Sequence, residues 1–168
     1  MHAASSEATV RPATFADLEA INAIYNHYVL TSTATYQLTP ETLEARRDWF
    51  ARHDAAHPII VATVADAVLG WASLSPFHPR EAYARTVENS VYVHHDHHRR
   101  GLGAALLGAL VQLAVSHGHQ TIVAGIDSEQ APSIALHERF EFTTVGRLAA
   151  VGYKFERWLD VVYMQRML

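Results

Sequence analysis

The sequence predicts an α/β protein built on one mixed sheet. Two apolar, β-branched runs are separated by only three residues, which is typical of an antiparallel hairpin. Later in the chain, strand-like and helix-like runs alternate, which is typical of parallel strands joined by a crossover helix. A mostly antiparallel sheet with one parallel pair of strands and flanking helices accommodates both observations.

Local patterns predict each element in order. Thr14 and Asp17 resemble a capping box ahead of a first helix, whose core face would carry Leu18, Ile21, Tyr25 and Tyr28. Thr39 followed by Pro40 predicts the N-cap and first turn of a second helix. The predicted helices are about 14–29, 40–52, 102–117 and 132–140, and the predicted strands are 9–11, 58–64, 68–74, 86–93, 121–126, 142–148 and 155–164. Strands 86–93 and 121–126 would be parallel, and they can splay to leave a slot for a ligand.

Composition limits the function classes. The 168 residues are 49% hydrophobic and 18% charged, which suits a single folded domain, predicted over residues 9–168 after a flexible tail at 1–8. A net charge of −4 gives no basic field for nucleic acid, and the longest apolar run is too short to span a membrane. The absence of cysteine excludes a cysteine acyl-enzyme and fits a cytoplasmic location.

The stretch 91–113 predicts a strand, a turn and a helix that together bind an anion. Gly101 and Gly103 let the main chain approach a phosphate closely, and the start of the following helix adds partial positive charge. Arg99 and Arg100 add full charges suited to phosphate oxygens. A dinucleotide-binding fingerprint is not supported, because its third glycine is replaced by Leu106, and the chain has no P-loop motif.

This stretch resembles the acetyl-CoA pyrophosphate loop of the GNAT N-acetyltransferases, with His98 at a position where the family usually has Gln or Arg. The order of elements also matches the GNAT fold over nearly the whole chain. Four further motifs resemble the phosphinothricin and methionine sulfoximine acetyltransferase branch: residues 25–27, 86–93, 135–138, and 151–155 together with 158–160.

The resemblance implies a cofactor and a set of roles. Acetyl-CoA would be the acetyl donor, Glu88 the general base that deprotonates the amine, and His137 a proton donor to the departing thiolate. Backbone groups of Val91 and Val93 would hold the pantetheine arm and the thioester oxygen. The implied cofactor-binding positions are Val91, Tyr92, Val93, His98, Arg99, Arg100, Gly101, Leu102, Gly103, Ala104, Gln130 and Ser133.

The acceptor implied by the same resemblance is a small amino-acid-like amine. Its carboxylate needs a cation or several donors, for which Arg80, Arg85, Tyr83 and the hydroxyl-rich segment 31–35 are candidates. The implied substrate-side positions are His78, Pro79, Arg80, Tyr83, Arg85, Asn89 and Ser90. Members of the branch are dimers, and the apolar run 155–164 predicts a homodimer through an edge strand.

Three other functions are compatible with parts of the sequence. A protein or peptide α-amine is the alternative acceptor. The run from His94 to His98 offers five potential metal ligands, although contiguous residues rarely converge on one ion, and we predict no metal site. A non-catalytic acyl-CoA sensor is the third alternative, and it would not need a general base such as Glu88.

Overall fold

The computed structural model describes residues 8–168, which form a seven-stranded sheet with helices on both faces. The strands are β1 (Thr9–Pro12), β2 (Ile59–Val64), β3 (Ala67–Pro76), β4 (Thr86–Val93), β5 (Thr121–Asp127), β6 (Thr143–Lys154) and β7 (Arg157–Met167). The helices are α1 (Leu18–Thr31), α2 (Leu43–Ala51), α3 (Leu102–Ser116) and α4 (Ala131–Arg139), with short 3₁₀ turns at Phe15–Asp17, Glu81–Tyr83 and His95–His97. No helix within the described range is both long and apolar enough to cross a membrane.

The sheet has the mixed topology that the sequence predicts. Its strand order is β1-β2-β3-β4-β5-β7-β6, and every neighbouring pair is antiparallel except β4 and β5. The parallel pair is short: it begins at Thr86 opposite Thr121 and ends at Glu88 opposite Val123. Beyond Glu88 the two strands continue without pairing, so the predicted slot opens between them.

The core is divided by the sheet into two layers. Leu106, Leu107 and Leu110 of α3 are fully buried against one face, together with Val87 and Ile122 from the two parallel strands. On the other face, α1 packs against Trp71. Because apolar side chains press on both sides of β4, the strand that leads into the glycine turn is held firmly.

The second helix begins later than predicted. Thr42, not Thr39, is its N-cap, and the Thr42 hydroxyl accepts from the Ala45 amide at 3.1 Å. The Asn26 side chain bonds both the amide and the carbonyl of Glu41, which keeps the preceding residues out of the helix. A local capping pattern was therefore overridden by a contact from α1.

The prediction of an apolar edge strand at 155–164 was wrong in its placement. β7 lies inside the sheet between β5 and β6, and Leu159, Val162 and Met164 are buried in the core of the same chain. The edge strand is β6, which is exposed along most of its length. The predicted tail lies almost wholly in residues 1–7, outside the described residues.

Candidate active site

A cavity of about 930 Å³ occupies the slot between β4 and β5 and extends to the start of α3. Most of the predicted site residues line it: Glu88, Asn89, Ser90, Val91, Tyr92, Val93, His98, Arg99, Gly101, Leu102, Gly103, Ala104, Gln130, Ser133 and His137. Residues far apart in the sequence therefore converge on one space, which is large enough for an extended cofactor and a small second ligand.

The glycine turn forms the anion-binding end of the cavity, which we call the cradle (Arg99–Ala104). Gly101 is the N-cap of α3 and has a φ of 80°, and Arg99 also has a left-handed φ, of 58°. A residue in the left-handed backbone conformation next to one in the right-handed conformation points successive backbone amides towards one place. The first amides of a helix also have no hydrogen-bond partner within the helix, so both sets of amides can donate to an anion. A Cβ on Gly103 would lie 3.3 Å from the Leu136 side chain, so this position has little spare room.

Backbone groups of β4 face the slot beyond Glu88. The His94 amide donates to Leu69 on β3, so the amides and carbonyls of even-numbered residues of β4 point to β3. Those of Val91 and Val93 then point the other way, where β5 has already separated. The Val93 carbonyl accepts from the Tyr28 hydroxyl, whereas the Val93 amide and both backbone groups of Val91 have no partner among the described residues and can pair with an extended ligand, as the resemblance implies for a pantetheine arm.

Tyr28 is a site residue that sequence analysis missed. Its hydroxyl donates to the Val93 carbonyl, and the same oxygen lies 2.6 Å from Nε2 of His98. Because the tyrosine hydrogen is donated to the carbonyl, the Tyr28 oxygen accepts from Nε2 of His98. Burial raises the pKa of Tyr28 to about 12, so the phenol stays protonated. The sequence pattern indicated only that Tyr28 faces the core, whereas it is half-buried at the cavity wall.

Glu88 lies at the point where the parallel strands separate. Its carboxylate oxygen Oε1 is 3.5 Å from where a Cβ on Gly125 would sit, so the glycine leaves the room that this side chain occupies. Burial raises the pKa of Glu88 above its usual value. A carboxylate with a raised pKa in a cavity is suited to accept a proton near neutral pH.

His137 is held in a way that argues against its predicted role as a proton donor. Its Nδ1–H donates to the Ser133 carbonyl at 2.7 Å, so Nε2 is left to accept from the Asn89 side-chain amide at 2.9 Å. Burial lowers the pKa of His137, which favours this neutral form. Neither nitrogen presents a hydrogen to the cavity. The ring instead ties β4 to α4, and we assign it a positioning role.

The opposite end of the cavity, which we call the acceptor half, was not predicted in detail. It comprises the segment Thr33–Tyr36, Gly125, Asp127, Val161 and Tyr163 beside Glu88. Asp127 is buried and accepts from the Thr33 hydroxyl at 3.1 Å, the Tyr36 hydroxyl at 2.7 Å and the Glu129 amide at 2.9 Å. Gly152 on β6 makes room for the Tyr36 ring, since a Cβ there would be 2.5 Å from the ring.

Several predicted residues lie outside the cavity lining. Arg100 is exposed and its guanidinium lies 3.3 Å from Nδ1 of His97. The predicted substrate-side residues between β3 and β4 are also outside the lining: His78, Pro79, Arg80, Tyr83 and Arg85. His78 and Tyr83 pack on each other, with ring centroids 4.7 Å apart. The structure therefore does not bring the predicted arginine clamp to the cavity of a single chain.

The histidine run forms a separate surface cluster. The possible ligand atoms of His94, His95 and Asp96 lie within 4.8 Å of one another, and His95 stacks on His27 at 3.7 Å. The Asp96 amide donates to Nδ1 of His94 at 3.3 Å, and Nε2 of His95 lies 3.5 Å from the Asp96 carboxylate, so groups within the cluster already bond to one another.

A comparison with family models decides which family has this architecture. The model of the acetyltransferase (GNAT) family matches residues 21–142, a range that contains β4, the cradle, Gln130 and His137. The chain belongs to the GNAT acetyltransferase family. Its fold is that of other GNAT enzymes, and the resemblance drawn from the sequence is confirmed.

Individual GNAT relatives match over almost the full length. An L-methionine sulfoximine/L-methionine sulfone acetyltransferase of Pseudomonas paraeruginosa is 46% identical over 160 residues, covering 94% of this chain and 93% of that protein. A phosphinothricin N-acetyltransferase of Streptomyces viridochromogenes is 41% identical over 157 residues, covering 94% and 86%. The crystal structure of a GNAT phosphinothricin acetyltransferase from Sinorhizobium meliloti in complex with acetyl-CoA has a TM-score of 0.93 and 38% identity, covering 96% of this chain and 88% of that one.

Proposed function

We propose that this GNAT enzyme transfers the acetyl group of acetyl-CoA directly to the α-amine of a small amino-acid-like substrate. The observation that carries the proposal is the position of Glu88, a half-buried carboxylate beside the slot and between the cradle and the acceptor half. A general base is needed there because an amine is protonated at neutral pH and must lose a proton before it attacks. The names of the relatives support an acceptor of the methionine sulfoximine and phosphinothricin type.

The geometry supports a division of roles along the cavity. The cradle amides and Arg99 would bind the pyrophosphate, and the free backbone groups of Val91 and Val93 would pair with the pantetheine arm. The Val93 amide would donate to the thioester oxygen as negative charge develops on it. Glu88 would take one proton from the ammonium group, and the neutral nitrogen would attack the carbonyl carbon. As the carbon–sulfur bond breaks and the CoA thiolate leaves, the nitrogen would lose its second proton, which passes to the thiolate or to solvent, and the amide product keeps one hydrogen. Asn89 and His137 keep β4 and α4 in register during this step.

A substrate panel tests the proposed function. CoA release would be measured with L-methionine sulfoximine, L-methionine sulfone, phosphinothricin, the amides of these compounds and short peptides. We expect turnover with at least one free amino-acid analogue and a loss of activity when its carboxylate is amidated. A preference for peptides would overturn the acceptor class, and equal rates on an acid and its amide would exclude recognition of the carboxylate.

The role of the cradle leads to a binding prediction. Acetyl-CoA is expected to raise the melting temperature of the wild type, because a ligand that binds only the native state stabilises it. Gly103→Val should abolish this shift, since its side chain would crowd Leu136 where the backbone must approach the ligand. Gly118→Ala is the control. An alanine at this left-handed φ destabilises the protein by about 1 kcal/mol, but position 118 follows the C-terminal end of α3, far from the cradle, so the shift caused by acetyl-CoA should persist. A wild-type melting curve unmoved by millimolar acetyl-CoA would contradict the cofactor assignment.

We also infer a homodimer that uses the exposed edge strand β6. Four apolar side chains are each more than half exposed: Val145, Val151 and Tyr153 on β6, and Trp158, which pairs with Tyr153, on β7. A long edge strand with an apolar surface is a template for pairing with another chain. Light scattering at micromolar concentration should give a dimer mass, and Val145→Glu should reduce it to the monomer mass. Val115→Glu on α3 changes a similarly exposed valine and should leave the dimer intact; a monomeric wild type would contradict the inference.

A further inference from the structure

The acceptor half holds a second carboxylate close to the general base. Side chains alternate along a strand, so Gly125 and Asp127 lie on the same face of β5, and Glu88 reaches over Gly125 on that face. The opposite strand β7 contributes Tyr163 beside Gly125 and Val161 beside Asp127. An acceptor whose amine contacts Glu88 would therefore extend its side chain over Gly125 towards Asp127.

The Asp127 carboxylate is buried in the cavity wall. It is 5% exposed and accepts three hydrogen bonds, from Thr33, Tyr36 and the Glu129 amide. The pKa of the Tyr36 phenol is raised, first by burial and then by its bond to Asp127. Tyr36 therefore remains a hydrogen-bond donor to this carboxylate.

No cation of the described lining lies beside Asp127 to neutralise it. The lining arginines are Arg99 in the cradle and Arg139 at the last residue of α4, a helix about 13 Å long that starts near Asp127. Arg157, the first residue of β7, forms an ion pair with Glu129; its charge also interacts with Asp127, although its side chain lies outside the lining. Lys154 lies behind the segment Thr33–Tyr36, outside the lining, and directs its ammonium group at the carbonyls of Ser32 and Thr35.

We propose that Asp127 is a specificity-determining residue that selects acceptors with an uncharged side chain and disfavours those with an anionic one. This inference rests on the proposed function. A negative charge on the acceptor's side chain would lie over Gly125 in the acceptor half, facing Asp127. For two negative charges separated by about 8 Å at an effective dielectric constant of about 30, the repulsion lowers the binding affinity of the anionic acceptor roughly tenfold.

Two of the proposed acceptors isolate this charge. L-Methionine sulfone and phosphinothricin have the same backbone and a tetrahedral sulfur or phosphorus that carries two oxygens and a methyl group. They differ by one negative charge, on the phosphinate. The ratio of their kcat/KM values therefore measures the preference of the site for a neutral over an anionic side chain of nearly the same shape. A loss of activity that affects both substrates equally does not change this ratio.

The experiment measures this ratio in the wild type, in Asp127→Asn and in Glu129→Gln. We expect the wild type to favour the sulfone at least tenfold and Asp127→Asn, which keeps the shape of the side chain, to lower that preference about tenfold. Glu129→Gln removes the same charge from an exposed neighbour outside the lining and should leave the ratio within twofold. A wild-type ratio near one, a ratio unchanged in Asp127→Asn, or an equal change in Glu129→Gln would overturn the proposal. If no free amino-acid analogue is acetylated, the proposed function itself fails and this inference fails with it.

Discussion

Replacing Glu88 with glutamine is expected to lower turnover by roughly 10²-fold or more, since a positioned general base typically contributes about that factor. The glutamine amide has a similar shape but cannot take the ammonium proton. The affinity for acetyl-CoA should be nearly unchanged, because the cradle and the free backbone groups of Val91 and Val93 are not altered. Steady-state kinetics and a titration with CoA would measure the two effects separately. Glu44→Gln on α2 removes an exposed carboxylate as the control.

The same variant should change the dependence of the reaction on pH. Burial raises the pKa of Glu88, and a base acts only when it is deprotonated. Wild-type activity should therefore increase as the pH rises through that raised pKa, and Glu88→Gln should lack this rise. Full turnover of the variant at pH 7, with the wild-type pH profile, would show that another group is the base.

The stability of the wild type should decrease as the pH rises, whereas its activity should increase. A carboxyl group whose pKa is higher in the folded state than in the unfolded state binds more protons when folded, so it reduces the free energy of unfolding as the pH rises. The reduction begins near the ordinary value of 4.5 and is complete above the raised value. Glu88→Gln lacks this penalty and should melt at a higher temperature than the wild type at pH 7 to 8. A loss of activity in a more stable protein would separate a catalytic role from unfolding.

The sequence was sufficient for those parts of the site that depend on local patterns. Strand β4, the left-handed Gly101 and helix α3 follow one another between residues 86 and 116, and each is specified by neighbouring residues. Glu88 was chosen through the resemblance of residues 86–93 to a family motif, and the unbroken strand sets its distance from the glycine turn. The parallel pairing with β5 followed from the length of the intervening helix.

The acceptor half could not be derived in this way, because its contacts join distant segments. Thr33 and Tyr36 meet Asp127 across more than 90 residues, and the Tyr28 hydroxyl reaches Val93 across 65. The hydroxyl-rich segment 31–35 was a candidate for binding the acceptor, and Thr33 to Thr35 do line the cavity, but no pattern in the sequence indicated the contacts of Thr33 and Tyr36 with Asp127 or of Tyr28 with Val93. The internal position of β7 was also not predicted, because an apolar strand has the same sequence pattern at the edge of a sheet and inside it.

Lys154 supports the acceptor half from behind, and its removal should have a large effect on stability. It is the single lysine of the chain and is 4% exposed. Its ammonium group donates to the carbonyls of Ser32 at 2.7 Å, Thr35 at 2.8 Å and Tyr28 at 3.5 Å. It thereby joins the end of β6 to the end of α1 and to the segment that carries Thr33 and Tyr36. Lys154→Met would keep the length of the side chain but leave these carbonyls without a donor.

We expect Lys154→Met to lose about 3 kcal/mol of unfolding free energy, because buried acceptors would lose charge-assisted bonds. That corresponds to a fall in melting temperature of about 6 to 12 °C for a chain of this size. The KM for the acceptor should rise more than the KM for acetyl-CoA, since the carbonyls lie on the acceptor side of the cavity. Thermal melts and bisubstrate kinetics would measure both effects.

A matched variant and a chemical probe complete this test. Arg147→Met removes a cation from an exposed ion pair with Asp160 on the same hairpin, and a surface pair of this kind contributes little, so the melting temperature should move only slightly. Because Lys154 is the single lysine, an amine-reactive reagent followed by peptide mapping reports on this site alone among the lysines. Lys154 should be protected in the native wild type and react on unfolding. Rapid labelling of the native protein, or equal melting temperatures for Lys154→Met and Arg147→Met, would contradict the role assigned to this residue.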